Sequence, residues 1–599
     1  MASLGRGSFA QTPRTVGLVW RAARGGTLGI AALTLANAVL PLGVAYVGKR
    51  LVDAVVARNQ AEALRWVAIE LALVALLAAS SQGSSLLRQV VGGKLGLGIN
   101  VAILTKAIRL ELRHFEDPEF YDQLTRARRE ASSRPLSVVT RTFQMLQSTI
   151  ALLGYGALLL RFGGLAVAAL LIAAVPATLA EMRFAGKAFS LRNWRSPEVR
   201  KLMYLENVLA SEEHAKEVKL FDLGPHFLAR YRTLGEQFTR EDQKLTVRRG
   251  FWAYLLSLLA TVTFYGCYAL MAGAAALGKL TLGDMTLGMV AFRQGQQAFQ
   301  ALLGGFGGMY EDNLYMSNLF AYLDADPPGE PRTPSNAVDR TESRSLPGEK
   351  GIRFEDVGFR YPGRTEWALR HVEVFIPAGQ SLAIVGQNGA GKTTFIKLLT
   401  RLYAPTEGRI WLDGTPLEEW DEAVLRRRVA VVFQDFARYQ LTARENVGLG
   451  SVGALEDDAR IHRAIDRGGA GAVVETLDAG LETPLGRRFG GGVELSGGQW
   501  QKIALARAFM REEADILVLD EPTAALDAEA EHAVFERFQE LTRGRTSLLI
   551  SHRFPTVRRA DRILVIERGA VVEEGTHEDL VSKNGRYAQL FALQARGYL

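Results

Sequence analysis

The hydrophobic rhythm of the chain changes near its midpoint. Before residue 323 it is dominated by apolar runs of the length that carries an α-helix across a hydrocarbon core, about 20 residues. Six such runs stand out, at 28–47, 64–84, 138–160, 165–185, 251–276 and 286–309. The last is the least apolar, because Arg293, Gln294, Gln296, Gln297 and Gln300 interrupt it. Long polar, helix-forming stretches lie at 94–137 and 186–249, and both are rich in Arg and Lys. That bias places them on the cytoplasmic side. The other connections are short, and an even number of spans puts both termini inside. Residues 12–24 place Val16, Leu18, Val19 and Trp20 beside Arg14, Arg21 and Arg24. They read either as an interfacial helix or as a basic flank that sets topology.

From residue 351 the pattern becomes short β-branched strands alternating with amphipathic helices. Between the two halves, residues 324–350 are rich in Pro, Ser, Glu and Arg, a composition that cannot bury a core and reads as a linker. At 599 residues the chain is long enough for two or more cores. Its near-neutral mean hydropathy, +0.04, averages over the two halves. The net charge of +7 comes largely from residues flanking apolar runs, so no nucleic-acid partner is expected. Cys267 is the only cysteine, which excludes an intramolecular disulfide and a cysteine metal cluster. Residues 1–24 lack a short apolar core with a small-residue cleavage site, so no cleavable signal peptide is expected.

Ionisable groups inside a membrane are costly and mark function. Glu70, Glu181 and Arg293 fall within the apolar runs. Arg293, Gln297 and Gln300 recur at i, i+4, i+7 and share one helical face. That face either lines a polar central cavity or joins helices through hydrogen bonds.

The soluble half carries the chemistry. The apolar strand Ser381-Leu382-Ala383-Ile384-Val385 runs into Gly386-Gln387-Asn388-Gly389-Ala390-Gly391-Lys392-Thr393, and a helix follows from Thr394. Strand, glycine loop and helix in this order make a phosphate-binding loop. Its glycines, 386, 389 and 391, let backbone N–H groups close on phosphate oxygens at a helix N-terminus. Lys392 neutralises β/γ-phosphate charge, and the Thr393 hydroxyl suits Mg²⁺. Ile516-Leu517-Val518-Leu519-Asp520-Glu521 is an apolar strand ending in two acids. There Asp520 is placed to organise Mg²⁺ and Glu521 to orient or deprotonate an attacking water.

Leu495-Ser496-Gly497-Gly498-Gln499, followed by Ile503-Ala504-Leu505-Ala506-Arg507-Ala508, resembles the signature of ATP-binding-cassette (ABC) proteins. The resemblance implies that Ser496, Gly497, Gly498 and Gln499 of one copy cap ATP held by the loop of another, where Asn388 and Thr394 join the phosphate-loop contacts. It further implies that Tyr361 stacks on adenine, Gln434 senses Mg²⁺ and nucleophile, Asp527 bridges the two sites and His552 contacts the γ-phosphate. Membrane-first, nucleotide-second order resembles exporter half-transporters. The fold implied is multidomain: a six-helix all-α transmembrane domain over 1–323, the linker 324–350, and an α/β P-loop nucleotide-binding domain of ABC type over 351–599.

Segments His114–Asp122 and Glu217–Gly224 are similar to coupling regions of a bacterial subset that includes exporters of lanthionine-type peptides. Two departures stand against the family pattern. Gly486-Arg487-Arg488-Phe489-Gly490 replaces a loop that usually carries an acid before the signature, and Ala524 replaces a common serine. The resemblance implies a Mg-ATP-driven exporter in a bacterial cytoplasmic membrane, working as a homodimer with two ATP sites. Its cargo is a peptide, an amphipathic drug or a lipid. Half of a heterodimer, a lipid flippase and a non-transport ABC ATPase are the rivals, and the apolar runs oppose the last. No N-terminal peptidase-like domain is recognised, so leader cleavage is not expected of this chain.

Overall fold

The computed structural model describes residues 11–117, 134–162, 195–325, 350–521, 544–551 and 553–597, with Thr542 and scattered helical positions between 120 and 191. The chain divides into two compact units, Met1–Leu110 with Pro118–Ala325, and Glu111–Asp117 with Asp326–Leu599.

The first unit is helical. Residues 12–24 fold mainly as helix α1 (Thr12–Ala22), which buries Thr15 and Val19 and leaves Trp20 exposed. Helices α2 (Arg24–Val56) and α3 (Gln60–Ile108) follow, with Asn59 capping α3 by accepting from the Glu62 N–H. Between α3 and the next long helix lies α4 (Leu112–Glu116), a single turn belonging to the second unit. The first unit continues with α5 (Arg134–Leu160), α6 (Ser196–Ala210), α7 (Glu212–Leu220), α8 (Gly224–Ala276) and α9 (Leu282–Asp324).

At 49 residues and about 1.5 Å per residue, α3 is about 74 Å long. More than half of it therefore lies beyond an apolar core of about 30 Å, and the second span and the first part of the polar stretch after it, as far as Ile108, are one rod. The same holds for α8, which carries the polar residues before 250 directly into the fifth run.

Among the described residues, four helices are long and apolar enough to cross a membrane: α2, α3, α5 and α8. They contain the first, second, third and fifth expected runs. The fourth run, 165–185, falls largely outside the described residues. The sixth lies within α9, one continuous helix of 43 residues that starts at a capping box between Thr281 and Asp284. Its polar positions keep it below the apolarity of the other four.

In the C-terminal part of α9, Asp312 is fully buried. It accepts hydrogen bonds from Ser137 Oγ (2.6 Å), Arg141 Nε (2.7 Å) and Arg134 Nη1 (3.2 Å), all on α5. At the other end of α9, Lys49 pairs with Asp284, and the Gly283 N–H donates to Asp53 Oδ1 at 3.0 Å. These contacts join α9 to α5 at one end and to α2 at the other.

The second unit is built on two sheets. One has the order β2 (Leu369–Pro377), β1 (Gly351–Phe359), β4 (Glu407–Leu412), β5 (Thr415–Pro416) and is antiparallel. The other runs β10 (Ala570–Gly575), β9 (Arg562–Glu567), β3 (Ser381–Val385), β8 (Thr546–Ile550), β7 (Ile516–Asp520), β6 (Val429–Val432). In it only β10 is antiparallel. Strands β7 and β8 are buried at every position, as expected of parallel strands covered on both faces.

Phe354, Phe395 and Ile396 sit in the core between the sheets, with the Phe354 and Phe395 rings stacked 4.1 Å apart. A separate helical layer closes on Trp500, Ile461, Ile503 and Phe509. The turn α4 also belongs here: Leu112 packs against the inter-sheet core.

Candidate nucleotide site

Strand register brings the chemistry to one edge. Strand β8 lies between β3 and β7, pairing Ile550 with both Ile384 and Asp520. Asp520 is thus level with Ile384, two strand spacings or about 10 Å away across the sheet. Where β3 gives way to the glycine loop, β7 ends in its two acids.

The loop 386–391 leads into α10 (Lys392–Leu399). Gly391 caps this helix at φ +107°, and a Cβ there would meet Ala368 O at 2.6 Å. Gly386 is packed as tightly, since a Cβ would lie 2.2 Å from Ile566 O. Gly389 is also left-handed, at φ +79°, and open, and Asn388 is exposed beside it. Lys392 Nζ donates to the loop's own carbonyls, Gly386 O at 2.8 Å and Gln387 O at 3.0 Å. Burial pulls its pKa below the usual lysine range, while Glu521 and Asp520 oppose that shift.

Asp520 is 1% exposed, and neither carboxyl oxygen accepts a regular hydrogen bond. Its pKa is pushed up to about 6, chiefly by burial. The Thr393 hydroxyl opposes this shift without closing a well-aligned bond, and Glu521 adds to it. A buried carboxylate lacking a donor, beside an exposed threonine hydroxyl, is a donor set of hard oxygens that fits Mg²⁺.

Glu521 stands just past β7 at φ +50°, in the left-handed region. Its N–H bonds Ile550 O at 2.9 Å, and its Oε2 accepts from Gln434 Nε2 at 2.8 Å. Gln434 follows β6, the neighbour of β7. Arg507 fixes the segment beyond it, donating to Ala437 O (2.9 Å) and Asn446 O (2.8 Å).

Tyr361 lies at the first turn of α10. Its hydroxyl is 3.0 Å from Thr394 Oγ1, and its ring packs edge-on to Phe359 and Tyr403. Lys397 Nζ lies 5.4 Å from the Tyr361 ring centre and 3.1 Å from Glu116 Oε1. Tyr403 OH donates to the other Glu116 oxygen. No short motif announces Tyr403 or Lys397; the only signal in the sequence is the polar segment around Glu116 itself.

The signature forms the start of α11 (Gly497–Phe509), with Ser496 as N-cap. Ser496 N–H donates to Gln499 Oε1 (2.8 Å) and Gln499 N–H to Ser496 Oγ (3.3 Å). Gln499 is therefore committed to closing the cap. Gly497 and Gly498 occupy the first turn, where helix N–H groups are free for an anion. In the preceding loop, Gly486 sits at φ +86° against Gln440, whose Oε1 accepts from the Arg488 N–H at 3.2 Å. Asp527 and His552 lie outside the described residues.

The ABC transporter family model matches residues 369–524. The subtilin transport ATP-binding protein SpaT of Bacillus subtilis is 30% identical over 97% of this chain and 93% of its own length. An ATP-dependent lipid A-core flippase of Thiobacillus denitrificans is 32% identical over 95% of each. Among solved structures, a bacterial Atm1-family ABC exporter with ATP bound superposes with a TM-score of 0.76 at 24% identity, over 96% of this chain and 98% of that one. Phosphate loop, acid-tipped strand and capped signature helix agree with these matches: the chain belongs to the ABC transporter family, an ATP-hydrolysing membrane transporter with the fold of an exporter.

Proposed function

We propose that the chain is a homodimeric, Mg²⁺-dependent ATP-driven exporter of the bacterial cytoplasmic membrane, with six spans in each copy and two ATP sites shared between copies. The observation that carries this reading is the convergence of Lys392, Asp520, Glu521 and Gln434 at the ends of β3, β7 and β6, in a chain whose other unit has membrane-length apolar helices.

In this reading Tyr361 stacks on adenine, and the N–H groups of Gly386, Asn388, Gly389 and Gly391 cradle phosphate with Thr394. Lys392 exchanges its two loop carbonyls for phosphate oxygens, a move its short tether within the loop favours. Thr393, Asp520 and Gln434 would hold Mg²⁺, which supplies charge neutralisation at the β- and γ-phosphates. Glu521 takes the proton of the attacking water, and its hydrogen bond to Gln434 fixes where the carboxylate points. His552 contacts the γ-phosphate, and Asp527 bridges the two sites. Ser496, Gly497 and Gly498 of the second copy present the α11 N-terminus to the same phosphate, so ATP joins the two copies and hydrolysis releases them. Segments around Glu116 and Leu220 carry that closure to the membrane helices.

Relatives named for subtilin and nisin transport support a peptide cargo. The lipid A-core flippase relatives support a second reading, in which lipid moves between leaflets. The test is ATPase activity of the purified chain in lipid nanodiscs, beside Glu521→Gln, with peptides, hydrophobic drugs and lipids added in turn. The expected result is activity stimulated by peptides and reduced at least about 100-fold in the variant. Undiminished hydrolysis in the variant overturns the site assignment, and stimulation by lipid alone selects the flippase.

A further inference from the structure

One membrane-depth charge has no counterpart among the described residues of its own chain. On α9, Leu287, Ala291, Phe292 and Ala298 are buried, and the first three join a cluster with Tyr155, Leu159, Cys267 and Met271. Residues of a helix turn by about 100° each, which sets Arg293, Gln297, Gln300 and Gly304 on the opposite face. All four are exposed or half-exposed. Among the described residues, no side chain hydrogen-bonds or ion-pairs with Arg293 or these glutamines.

Arg293 is 11 residues from Leu282, the start of α9, about 17 Å along the axis. That is close to the middle of an apolar layer of about 30 Å. An arginine there cannot face acyl chains without cost, so this face meets water or another polar surface. In the dimer proposed above, such a surface is the central cavity; the inference that follows rests on that reading.

We infer that Arg293 is the anion-recognising residue of the cavity and that the cargo is a peptide presenting a free carboxylate. The guanidinium offers a planar fork of donors that matches a carboxylate, and it keeps its charge at any working pH. Below it, the amides of Gln297 and Gln300 each donate and accept, which suits the amide groups of an extended peptide chain. The stripe continues into Gly304, which adds no side chain of its own. Two-fold symmetry repeats the set on the facing helix. In the empty cavity the guanidinium faces only water, and the carboxylate of the cargo gives it a charge-assisted partner.

The test uses the full chain in nanodiscs and two otherwise identical amphipathic peptides without acidic side chains, one ending in a carboxylate and one in a carboxamide. Half-maximal ATPase stimulation is expected at a concentration about tenfold lower for the carboxylate, the effect of one charge-assisted contact. Arg293→Gln is expected to bring the two peptides within about twofold of each other, and Arg293→Lys to restore part of the gap. A preference that survives Arg293→Gln overturns the inference, as does a wild type without preference. Glu70, half-buried on α3 ten residues from Gln60, supplies a further check: a wild type without preference, in which Glu70→Gln and Arg293→Gln lower the unstimulated ATPase rate alike, would overturn the inference in favour of an ion pair between copies.

Failure of the cavity reading itself is separable. Cys267 is the only cysteine and is buried, so Gln297→Cys in a Cys267→Ala background reports water access through a charged maleimide. Labelling without carboxylate preference sinks the anion assignment alone. A Gln297→Cys variant that stays unlabelled sinks the cavity and the inference together.

Discussion

Gln434 Nε2 donates a 2.8 Å hydrogen bond to Glu521 Oε2 across neighbouring strand ends. Glu521 reaches that bond from a left-handed backbone at φ +50°, a conformation that costs a residue with a Cβ about 1–2 kcal/mol. The N–H of Glu521 is held by Ile550 O, so the strain is fixed by the sheet and the carboxylate is aimed by the glutamine. Replacing Gln434 by Leu removes a bond to a charged acceptor, worth about 1.5–3 kcal/mol. A fall of about 10- to 100-fold in the maximal ATPase rate is expected, with nucleotide binding largely kept. Steady-state hydrolysis beside equilibrium nucleotide binding checks this, and a loss confined to binding would sink it.

Asp520 makes the nucleotide-free fold less stable. Its carboxyl titrates at about 6 in place of the ordinary 3.8, which amounts to about 3 kcal/mol against the charged form. The folded-state pKa is raised, so the penalty is absent below about pH 4, develops as the pH rises through about 6, and is complete above it. Asp520→Asn is therefore expected to raise the melting temperature of the nucleotide-free protein at neutral pH, and the gain should shrink towards pH 4. The same variant should lose the stabilisation that Mg-ATP confers on the wild type. Thermal melts across pH, with and without Mg-ATP, decide both points; a neutral or destabilising effect at pH 7 would refute the first.

What can be read from the sequence is what is local. The glycine loop and the acid-tipped strand are short-range patterns that form the turn and strand end expected of them, and Ser496 with Gln499 three residues on closes a helix cap by the same kind of local contact. Parallel register then places Asp520 near the loop without any further instruction from the side chains. The partners of Glu116 are illegible for the opposite reason: Lys397 and Tyr403 are 281 and 287 residues away. Nothing in the composition of α5 or α9 indicates that Asp312 meets Arg134 and Arg141. The start of α9 is legible in finer detail than the apolar run alone suggests, because Thr281 and Asp284 form a capping box that begins the helix at Leu282, ahead of the run at 286.

Glu116 ties the turn α4 to the nucleotide-binding unit. It accepts from Lys397 Nζ and from Tyr403 OH, and Lys397 in turn lies over the Tyr361 ring. The hydroxyl of Tyr403 is held above its ordinary pKa by burial and by the Glu116 carboxylate, so it donates at any working pH. Both ion-pair partners are partly exposed, and each bond is worth about 1 kcal/mol. Glu116→Gln with Tyr403→Phe is expected to lower the ratio of cargo-stimulated to unstimulated ATPase about fivefold, with little change in nucleotide affinity. An unchanged ratio would show that α4 does not transmit.

Gly391 tolerates no side chain. Its φ of +107° lies outside the range of L-residues, and a Cβ would press on Ala368 O at 2.6 Å and Leu369 Cδ2 at 2.7 Å. Gly391→Ala is expected to cost about 1–3 kcal/mol and to displace the Lys392 end of α10, abolishing ATP binding. Gly389 lies in open space, so Gly389→Ala carries only the backbone strain and should weaken binding without eliminating it. Equal effects at the two positions would mean that contact with Ala368 and Leu369 is not what limits the loop.

The buried carboxylate of Asp312 holds α9 against α5 and makes its own removal expensive. Its three donors come from one face of α5, and Gly308 one turn earlier admits the Arg141 guanidinium, which a Cβ at 308 would strike at 1.7 Å. Asp312→Ala leaves two arginines facing an uncharged, partly enclosed site, a type of loss worth about 3–5 kcal/mol when burial is complete. Arg134 and Arg141 are 27% and 35% exposed, so water recovers part of that, and about 2–3 kcal/mol is expected. Asp312→Asn keeps acceptors for Ser137 and one arginine and should lose about half as much. Adding Arg141→Met to Asp312→Ala should restore part of the stability, because it removes one of the two charges that the first substitution strands. Melting temperatures of the single and double variants in detergent form the required cycle. Strict additivity in that cycle would show that the two side chains act separately and that the helices are held by packing alone.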